Sequence, residues 1–459
     1  MKRTLAEFAR LAGGRLAGAD RAWTEVVTDS RTLKSGQLFV ALRGPSFDGN
    51  DFVAAAAAAG AAGAVVTRAQ PVELPQIVVP DTQAALEQAA RAWRRGFSGA
   101  LVGVAGSNGK TTAKEMTAAI LGQAGPCLAT RGNLNNHIGV PLTLLRLTGA
   151  ERFAVVEMGA NRAGEVAHLV EVARPTVGLI TNAGAEHLEG FGSLEGVARA
   201  EGEMVAGLEA SATAVINADD AFAPLWRSST PARVVTFGVR AGADFRASEV
   251  QAAVGSEGFT TSFRLTAPIG AAAIRLNLGG GHNVANALAA AAAAASAGAA
   301  LEHIVAGLAA VRAVPGRLQF RRSSSGGWLI DDSYNANPSS VRAAIEVLTG
   351  LPGKRWLVLG DMAELGAFAA DEHAGIGEFA RRAGIERLYA TGALMQRATE
   401  AFGAGAEWFA DVPALIAALR AALGNSAEVR VLIKGSRFNR LERVVEALSA
   451  APLPGGGGH

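Results

Sequence analysis

The sequence predicts an α/β protein of three domains, and three observations predict it. Continuous apolar runs at residues 101–105, 153–156, 177–180 and 212–217 alternate with helical stretches, the mark of a parallel sheet covered on both faces. The same rhythm recurs at 328–331, 355–359, 387–390 and 429–433, again as a doubly wound α/β unit. The chain has 459 residues, 49% hydrophobic and 18% charged, which is about three domains' worth of well-packed core.

Residues 1–98 read as a small α/β unit. Strand character at 37–42 is followed by an alanine-rich helix over 51–60, then by short strands at 63–67 and 76–80. Asp81 and Thr82 suit the N-cap of a helix that runs to about Arg95. Gly96, Phe97, Ser98 and Gly99 look like a linker into the central unit, 99–313. After the parallel strands of that unit, 259–278 alternates like an antiparallel ribbon, and an alanine-rich helix follows Asn283. Val314, Pro315 and Gly316 suit a hinge to the third unit, 314–451, whose strand and helix order is Rossmann-like. The glycine-rich residues 452–459 are expected to be a disordered tail, and no short-period repeat is visible.

Composition excludes several function classes. With 43 Lys+Arg against 41 Asp+Glu, the chain lacks the basic excess expected of a nucleic-acid partner. Its single cysteine, Cys127, cannot form an intrachain disulfide. Glu7 interrupts the N-terminus before an apolar run develops, so no secretion signal is read. Residues 285–300 are mostly alanine, which suits a buried helix better than a membrane span. The expectation is a cytoplasmic enzyme without membrane insertion.

Gly106, Ser107, Asn108, Gly109, Lys110, Thr111 and Thr112 carry the strongest chemical signal, because they follow a buried strand and open a helix. Small residues let successive N–H groups turn toward phosphate oxygens, and the helix N-terminus adds partial positive charge. Lys110 can reach terminal phosphates, and Thr111 can offer a hydroxyl to magnesium. Val104 stands where the common spacing has its first glycine. Such a loop serves motors, kinases, GTPases and ligases alike.

Further stretches narrow the choice. Thr28, Asp29, Ser30 and Arg31 precede a segment from Gly36 to Gly44, and a hydroxyl beside a guanidinium suits uracil carbonyls and diphosphate oxygens. Asn133, Asn135 and Asn136 lie in one run with His137, Gly139 and Pro141, and clustered amides can bind a peptidyl substrate. Glu157 and His187 fall at or just beyond the carboxyl ends of parallel strands, where such sheets present ligand groups. Asn283 and Asn286, Arg317 after Pro315 and Gly316, and Asp332 with Asn337 continue the series. Gly360, Asp361, Met362, Ala363, Glu364, Leu365 and Gly366, then Lys434, Gly435, Ser436 and Arg437, lie just after third-unit strands.

From Thr28 to about Arg440, these stretches together resemble the Mur ligase family, ATP-dependent enzymes that add amino acids to the cell-wall precursor. The resemblance implies an N-terminal UDP-binding domain, a central P-loop ATPase-like domain and a C-terminal Rossmann-like domain. It points to those members that join D-alanyl-D-alanine to UDP-N-acetylmuramoyl-tripeptide through an acyl phosphate, using ATP and magnesium, in a chain expected to be monomeric. It makes Ser30, Arg31, Asn135 and Asn136 contacts for the UDP precursor, and Thr111, Glu157 and His187 magnesium ligands, with Lys110, Glu157 and His187 catalytic. The loop 106–112 with Asn283, Asn286, Arg317 and Asp332 would bind ATP, and Asn337, Lys434 and Arg437 would face the dipeptide. Each residue also has a plainer reading: a surface turn for Ser30 and Arg31, turn-forming asparagines at 133–136, an N-cap for Asn283, a hinge charge for Arg317 and a strand-end turn for Asp332. Histidine is an uncommon partner for a hard ion such as magnesium.

One departure stands out. The family's lysine, carbamoylated and helping to hold a second metal, corresponds here to Glu201, which already carries a carboxylate on a shorter arm. Glu201 is therefore expected to ligate the second magnesium directly or through water, or else to be a solvent-facing helix carboxylate. A sibling that adds the third residue carries an Asp-Asn-Pro-Arg motif that is missing here, and folate ligases lack the UDP module. The third domain is expected to close on the second and keep water from the acyl phosphate. No residue stands out as the base for the incoming amine.

Overall fold

The computed structural model describes residues 2–240, 242–255 and 258–450; the expected tail at 452–459 lies outside them. Three sheets organise these residues. The N-terminal sheet has five strands in the order Arg15–Ala17, Gln76–Val78, Gly63–Val66, Leu38–Val40, Val26–Val27, parallel except for the first. Two of these, Arg15–Ala17 and Val26–Val27, have too few residues to show periodicity, and sequence reading missed them. The helix expected over 51–60 divides at Phe52, because Asp48 accepts the Asn50 N–H and opens a 3-10 turn, Gly49–Phe52, ahead of the helix Val53–Ala58.

The central sheet has nine strands, in the order Gly270–Leu276, Gly258–Ala267, Phe245–Gly255, Arg233–Gly238, Thr213–Asn217, Val177–Ile180, Ala100–Ala105, Phe153–Glu157, Cys127–Ala129. It is parallel from Cys127–Ala129 through Phe245–Gly255, and the last two strands turn antiparallel. The ribbon expected at 259–278 is thus a hairpin, and Phe245–Gly255 before it was missed because its outer half is solvent-exposed. The alanine-rich helix begins at Gly281 with Gly280 at its cap position, so Asn283 lies inside the helix and does not cap it. Ala287 to Ala294 are fully buried, and their small side chains let this helix pack against Lys110–Ala124 and the central sheet.

The third sheet runs Gln319–Arg322, Trp328–Asp332, Val429–Lys434, Lys354–Gly360, Arg387–Thr391, Ala406–Phe409. Its two edge strands were not read from the sequence.

The expected linker at 96–99 is no free tether. Phe97 is buried in a core that joins Trp93 and Leu86 of the first domain to Leu101, Val140 and Leu144 of the second. Arg94 fastens the same seam by donating to the carbonyls of Ala173, Phe97 and Arg174. The third domain meets the second differently: Leu188 and Val197 of the central domain pack into the core of the third, beside Met362 and Leu365.

Strand order places the site. Ala100–Ala105 lies between Phe153–Glu157 and Val177–Ile180, so the chain reverses its direction of winding at this strand. A crevice opens above the carboxyl ends of three adjacent strands, where open α/β sheets bind ligands. Behind it, Trp226 is fully buried and donates from Nε1 to the Ala198 carbonyl at 2.8 Å, fixing the helix Leu194–Ala206. Trp226→Ala is expected to lower unfolding free energy by about 3–5 kcal/mol through lost burial and a cavity, as checked by the midpoint of chemical denaturation.

Candidate active site

The strand Ala100–Ala105 leads into the phosphate loop, and the helix Lys110–Ala124 leaves it. Two glycines make the turn possible. Gly106 has φ +122° and Gly109 φ +82°, and a Cβ would meet Thr181 Oγ1 at 2.1 Å on the first and Asn286 Oδ1 at 2.2 Å on the second. The helix has no side-chain cap at Gly109, so its first-turn N–H groups are open to an anion. Thr181 and Asn182, after the neighbouring strand, pin the loop from the side. Asn108 donates its N–H to Asn182 Oδ1 at 3.0 Å, and its carbonyl accepts from Thr181 Oγ1 at 2.7 Å and Asn182 Nδ2 at 2.9 Å.

Lys110 is ringed by acceptors. Its Nζ donates to the Gly106 carbonyl, to Ser107 O at 3.1 Å and to Glu186 Oε1 at 3.0 Å. Burial works to lower its pKa, but Glu186, Glu201 and Glu157 outweigh that and hold the ammonium above its usual value. Glu186 was missed in the sequence, although it immediately precedes His187; only the fold brings it to Lys110.

Glu157 is buried, opposite Val104 in the register of the loop strand. Its Oε1 accepts from Asn135 Nδ2 at 2.9 Å and Thr111 Oγ1 at 3.3 Å. Its Oε2 is buried without a hydrogen bond, 3.8 Å from Nζ of the fully buried Lys114. His187 lines the same cleft, with Nδ1 against a carboxylate oxygen of Glu364 from the third domain.

Glu201 departs from one of its two sequence expectations. It is 2% exposed, hence no solvent-facing carboxylate, and it does not line the cleft. Its Oε2 accepts the Gly106 N–H at 2.6 Å, bracing the phosphate loop from behind. Burial pushes its carboxyl up to about 7, opposed by Lys110 and assisted by Glu186.

The third domain forms the opposite wall. Arg317 donates from Nη2 to Thr111 Oγ1 at 3.1 Å, with its guanidinium 4.5 Å from the Tyr334 ring centroid. Asn337 caps the helix Pro338–Thr349 and donates to Asn108 Oδ1 at 2.9 Å, while Asn108 donates to Ser339 Oγ at 3.0 Å. Asn337 thus faces the phosphate loop, a position not foreseen in its dipeptide-side assignment. Asp332 and Lys434 are register partners on adjacent strands, paired at 2.6 Å, and Lys434 also donates to Asn335 O. Arg437 is exposed, 3.6 Å from Glu442, with its guanidinium 5.8 Å from the ring centroid of Tyr334, which lines the cleft.

Two adjoining clefts result. One, of about 380 Å³, is lined by Lys110, Thr111, Asn135, Asn136, Glu157, Glu186, His187, Arg317, Asp332 and Lys434. The other, of about 350 Å³, is lined by Gly109, Thr112, Asn182, His282, Asn283, Asn286, Asp332 and Lys434. Asn283 is buried in the second, its Nδ2 on Gly279 O and its Oδ1 accepting from Asn286 Nδ2 at 3.2 Å. On the first-domain side, Asn136 Oδ1 accepts the N–H groups of Ile138 and Gly139, and Asn135 is turned to Glu157. Gln83 donates to the His137 carbonyl at 3.0 Å, tying the first domain to this loop. Ser30 and Arg31 line neither cleft, and Arg31 folds back onto Asp29 at 2.7 Å on an exposed turn.

A magnesium ion fits this donor set. Glu157 Oε2 is a buried oxygen without a hydrogen bond, with the Thr111 hydroxyl and the His187 ring nearby. Among the described residues no cluster of three or more His, Cys, Asp or Glu side chains forms a complete metal cage.

Comparison with known proteins gives consistent results. The pattern "Mur ligase family, catalytic domain" matches residues 22–94, "Mur ligase middle domain" matches 104–294, and "Mur ligase, glutamate ligase domain" matches 316–437. The UDP-N-acetylmuramoyl-tripeptide--D-alanyl-D-alanine ligase of Escherichia coli (strain K12) is 46% identical over 97% of this chain and 98% of its own. A crystal structure of MurF from Acinetobacter baumannii superposes with a TM-score of 0.89 at 34% identity, covering 97% of this chain and 98% of that one. MurF ligase from Thermotoga maritima, in complex with ADP, gives 0.79 at 29% identity over 92% and 96% of the two chains.

The raised carboxyl of Glu201 has a consequence for stability. A carboxyl whose pKa is higher folded than unfolded contributes stability below its unfolded value of 4.5, and that contribution is lost as pH rises through about 7. Glu201→Gln removes the titration and keeps an acceptor oxygen for Gly106. Its melting temperature is expected to gain on the wild type as pH rises from about 5 to about 8, as checked by calorimetry on both proteins.

Proposed function

The chain belongs to the Mur ligase family, and we infer that it is an ATP-dependent ligase adding D-alanyl-D-alanine to UDP-N-acetylmuramoyl-tripeptide, the activity named for its Escherichia coli relative. The product is the pentapeptide precursor of peptidoglycan. The observation that carries the reading is the seating of a third-domain wall on the phosphate loop, with Arg317 on Thr111 and Asn337 on Asn108. A loop faced in this way holds the terminal phosphate where a second substrate can meet it.

A carboxylate is a poor electrophile, so its oxygen first attacks the γ-phosphorus while the bond from that phosphorus to the β-bridging oxygen breaks. ADP leaves, and the acid becomes an acyl phosphate. Open N–H groups at the helix N-terminus and Lys110 hold the phosphates through this step, and Arg317 adds charge from the opposite wall. Magnesium, held by Thr111, Glu157 and His187, supplies neutralisation of phosphate charge when bound. The dipeptide amine then attacks the acyl carbon, the amide bond forms, phosphate leaves and the amine's proton is released. Contact between the second and third domains shields the acyl phosphate from water.

The remaining assignments follow the clefts. Asn283 and Asn286 hold the adenine end, Asp332 the ribose, and Asn135 and Asn136 the peptidyl part of the precursor. Ser30 and Arg31 remain assigned to the UDP end, and Lys434 and Arg437 are the candidates for the dipeptide carboxylate. Among the described residues no helix is long and apolar enough to cross a membrane. The proposal includes a cytoplasmic, monomeric enzyme.

The test is phosphate release from ATP with UDP-N-acetylmuramoyl-tripeptide, offering D-alanyl-D-alanine or single amino acids, with the product weighed by mass spectrometry. Release is expected only with the precursor and the dipeptide together. Lys110→Ala is expected to lower kcat by about 10²- to 10³-fold. Equal use of single amino acids, or full activity in Lys110→Ala, contradicts the reading.

A further inference from the structure

We propose that Glu364, carried by the third domain, is a positioning residue for His187 in the central domain, so that the cation site is completed only when the two domains are seated together. The inference rests on the proposed function in taking His187 as a magnesium ligand.

The geometry begins with the two ring nitrogens. Nδ1 of His187 lies against Oε2 of Glu364, an approach not aligned as a hydrogen bond, and Nδ1 has no hydrogen-bond partner among the described residues. Nε2 is then the nitrogen left for a cation in the cleft that His187 lines. A histidine that binds a metal through one nitrogen generally gives the other to a carboxylate or carbonyl, which fixes its tautomer and the direction of the ring. Here that carboxylate comes from another domain.

Both partners are built into their own domains and meet at a packed seam. His187 opens the short helix Leu188–Phe191, and Leu188 is buried in the third domain's core. The Glu189 N–H donates to the Glu364 carbonyl at 3.3 Å, so backbone as well as side chain crosses the seam. His187 and Glu364 have φ +49° and +63°, a left-handed conformation that non-glycine residues hold only where surroundings impose it.

The loop carrying Glu364 is itself fixed. Met362 N–H donates to His373 Nε2 at 3.0 Å, and Ala363 N–H to Ser436 Oγ at 2.9 Å. Burial holds His373 below its usual pKa, so the neutral ring keeps Nε2 as an acceptor. Glu364 therefore follows the third domain as it moves. Opening the domains withdraws the carboxylate from His187, and closing them restores it.

The probe is Mn²⁺, titrated by electron paramagnetic resonance into the full-length protein with β,γ-methylene-ATP. Glu364→Ala and Glu364→Gln are expected to weaken Mn²⁺ binding by about tenfold or more, with nucleotide affinity in EDTA unchanged. In a His187→Ala background, Glu364→Ala is expected to cost nothing further, because the two residues act through one contact. If Glu364→Ala does not fold, as judged by circular dichroism, Glu364→Gln carries the test, since it preserves side-chain size. Unchanged Mn²⁺ affinity, an equal fall in metal-free nucleotide affinity, or additive losses in the double variant would each overturn the proposal. A wild-type chain that binds Mn²⁺ in this pattern but does not ligate the dipeptide would support the proposal and overturn the substrate reading.

Discussion

The charge balance around Lys110 governs this molecule. One ammonium at the head of the phosphate loop is faced by Glu186 and lies within the field of Glu201 and Glu157, in a setting largely removed from water. At about 4 Å and an effective dielectric near 20, one such pair is worth about 4 kcal/mol of Coulomb attraction. Repulsion among the carboxylates is of similar order, and nucleotide phosphates add further negative charge. The Oε2 oxygen of Glu157 accepts no hydrogen bond in this cluster, and a divalent cation bound there would offset part of the negative charge. Lys114, buried on the same helix, supplies a second fixed positive charge beside that carboxylate.

The loop's shape depends on the same ring of groups. Gly106 and Gly109 permit the turn, but Thr181, Asn182 and Glu201 decide which way its N–H groups face. Glu201 spends its carboxylate on the backbone, not on the cleft. The position given to a carbamoylated lysine in the family resemblance has become part of the loop's scaffold.

Much of this was legible in the sequence because it is local. The four parallel strands from Ala100–Ala105 to Thr213–Asn217 and the four inner strands of the third domain show as apolar runs, whereas Cys127–Ala129 and Arg233–Gly238 do not, and the loop at 106–112 is a contiguous pattern in its required setting. Val26–Val27 is too short to carry a pattern, and Ala406–Phe409 is an edge strand without a buried apolar run. Groups acting across long sequence separations were missed for a different reason. Glu186 on Lys110, Ser339 on Asn108 and Glu364 on His187 are pairings made by strand order and domain seating, which no local spacing encodes. Asn337 shows both effects: its capping role is local, and its contact with the phosphate loop is not.

Domain organisation gives these contacts their meaning. The first and second domains share one continuous core, so the N-terminal domain and the phosphate loop form a single platform. The third domain meets that platform through polar contacts at Thr111 and Asn108 and an apolar insertion that includes Leu188 and Val197. Central to the account is direct transfer of the γ-phosphoryl group of ATP to the precursor's carboxylate within this seam. The most direct measurement uses precursor labelled with oxygen-18 in its terminal carboxylate and follows the label by mass spectrometry during turnover with unlabelled ATP and dipeptide. One labelled oxygen is expected in each phosphate released, because the bond broken in the second step joins the acyl carbon to that oxygen. Phosphate free of label would contradict it.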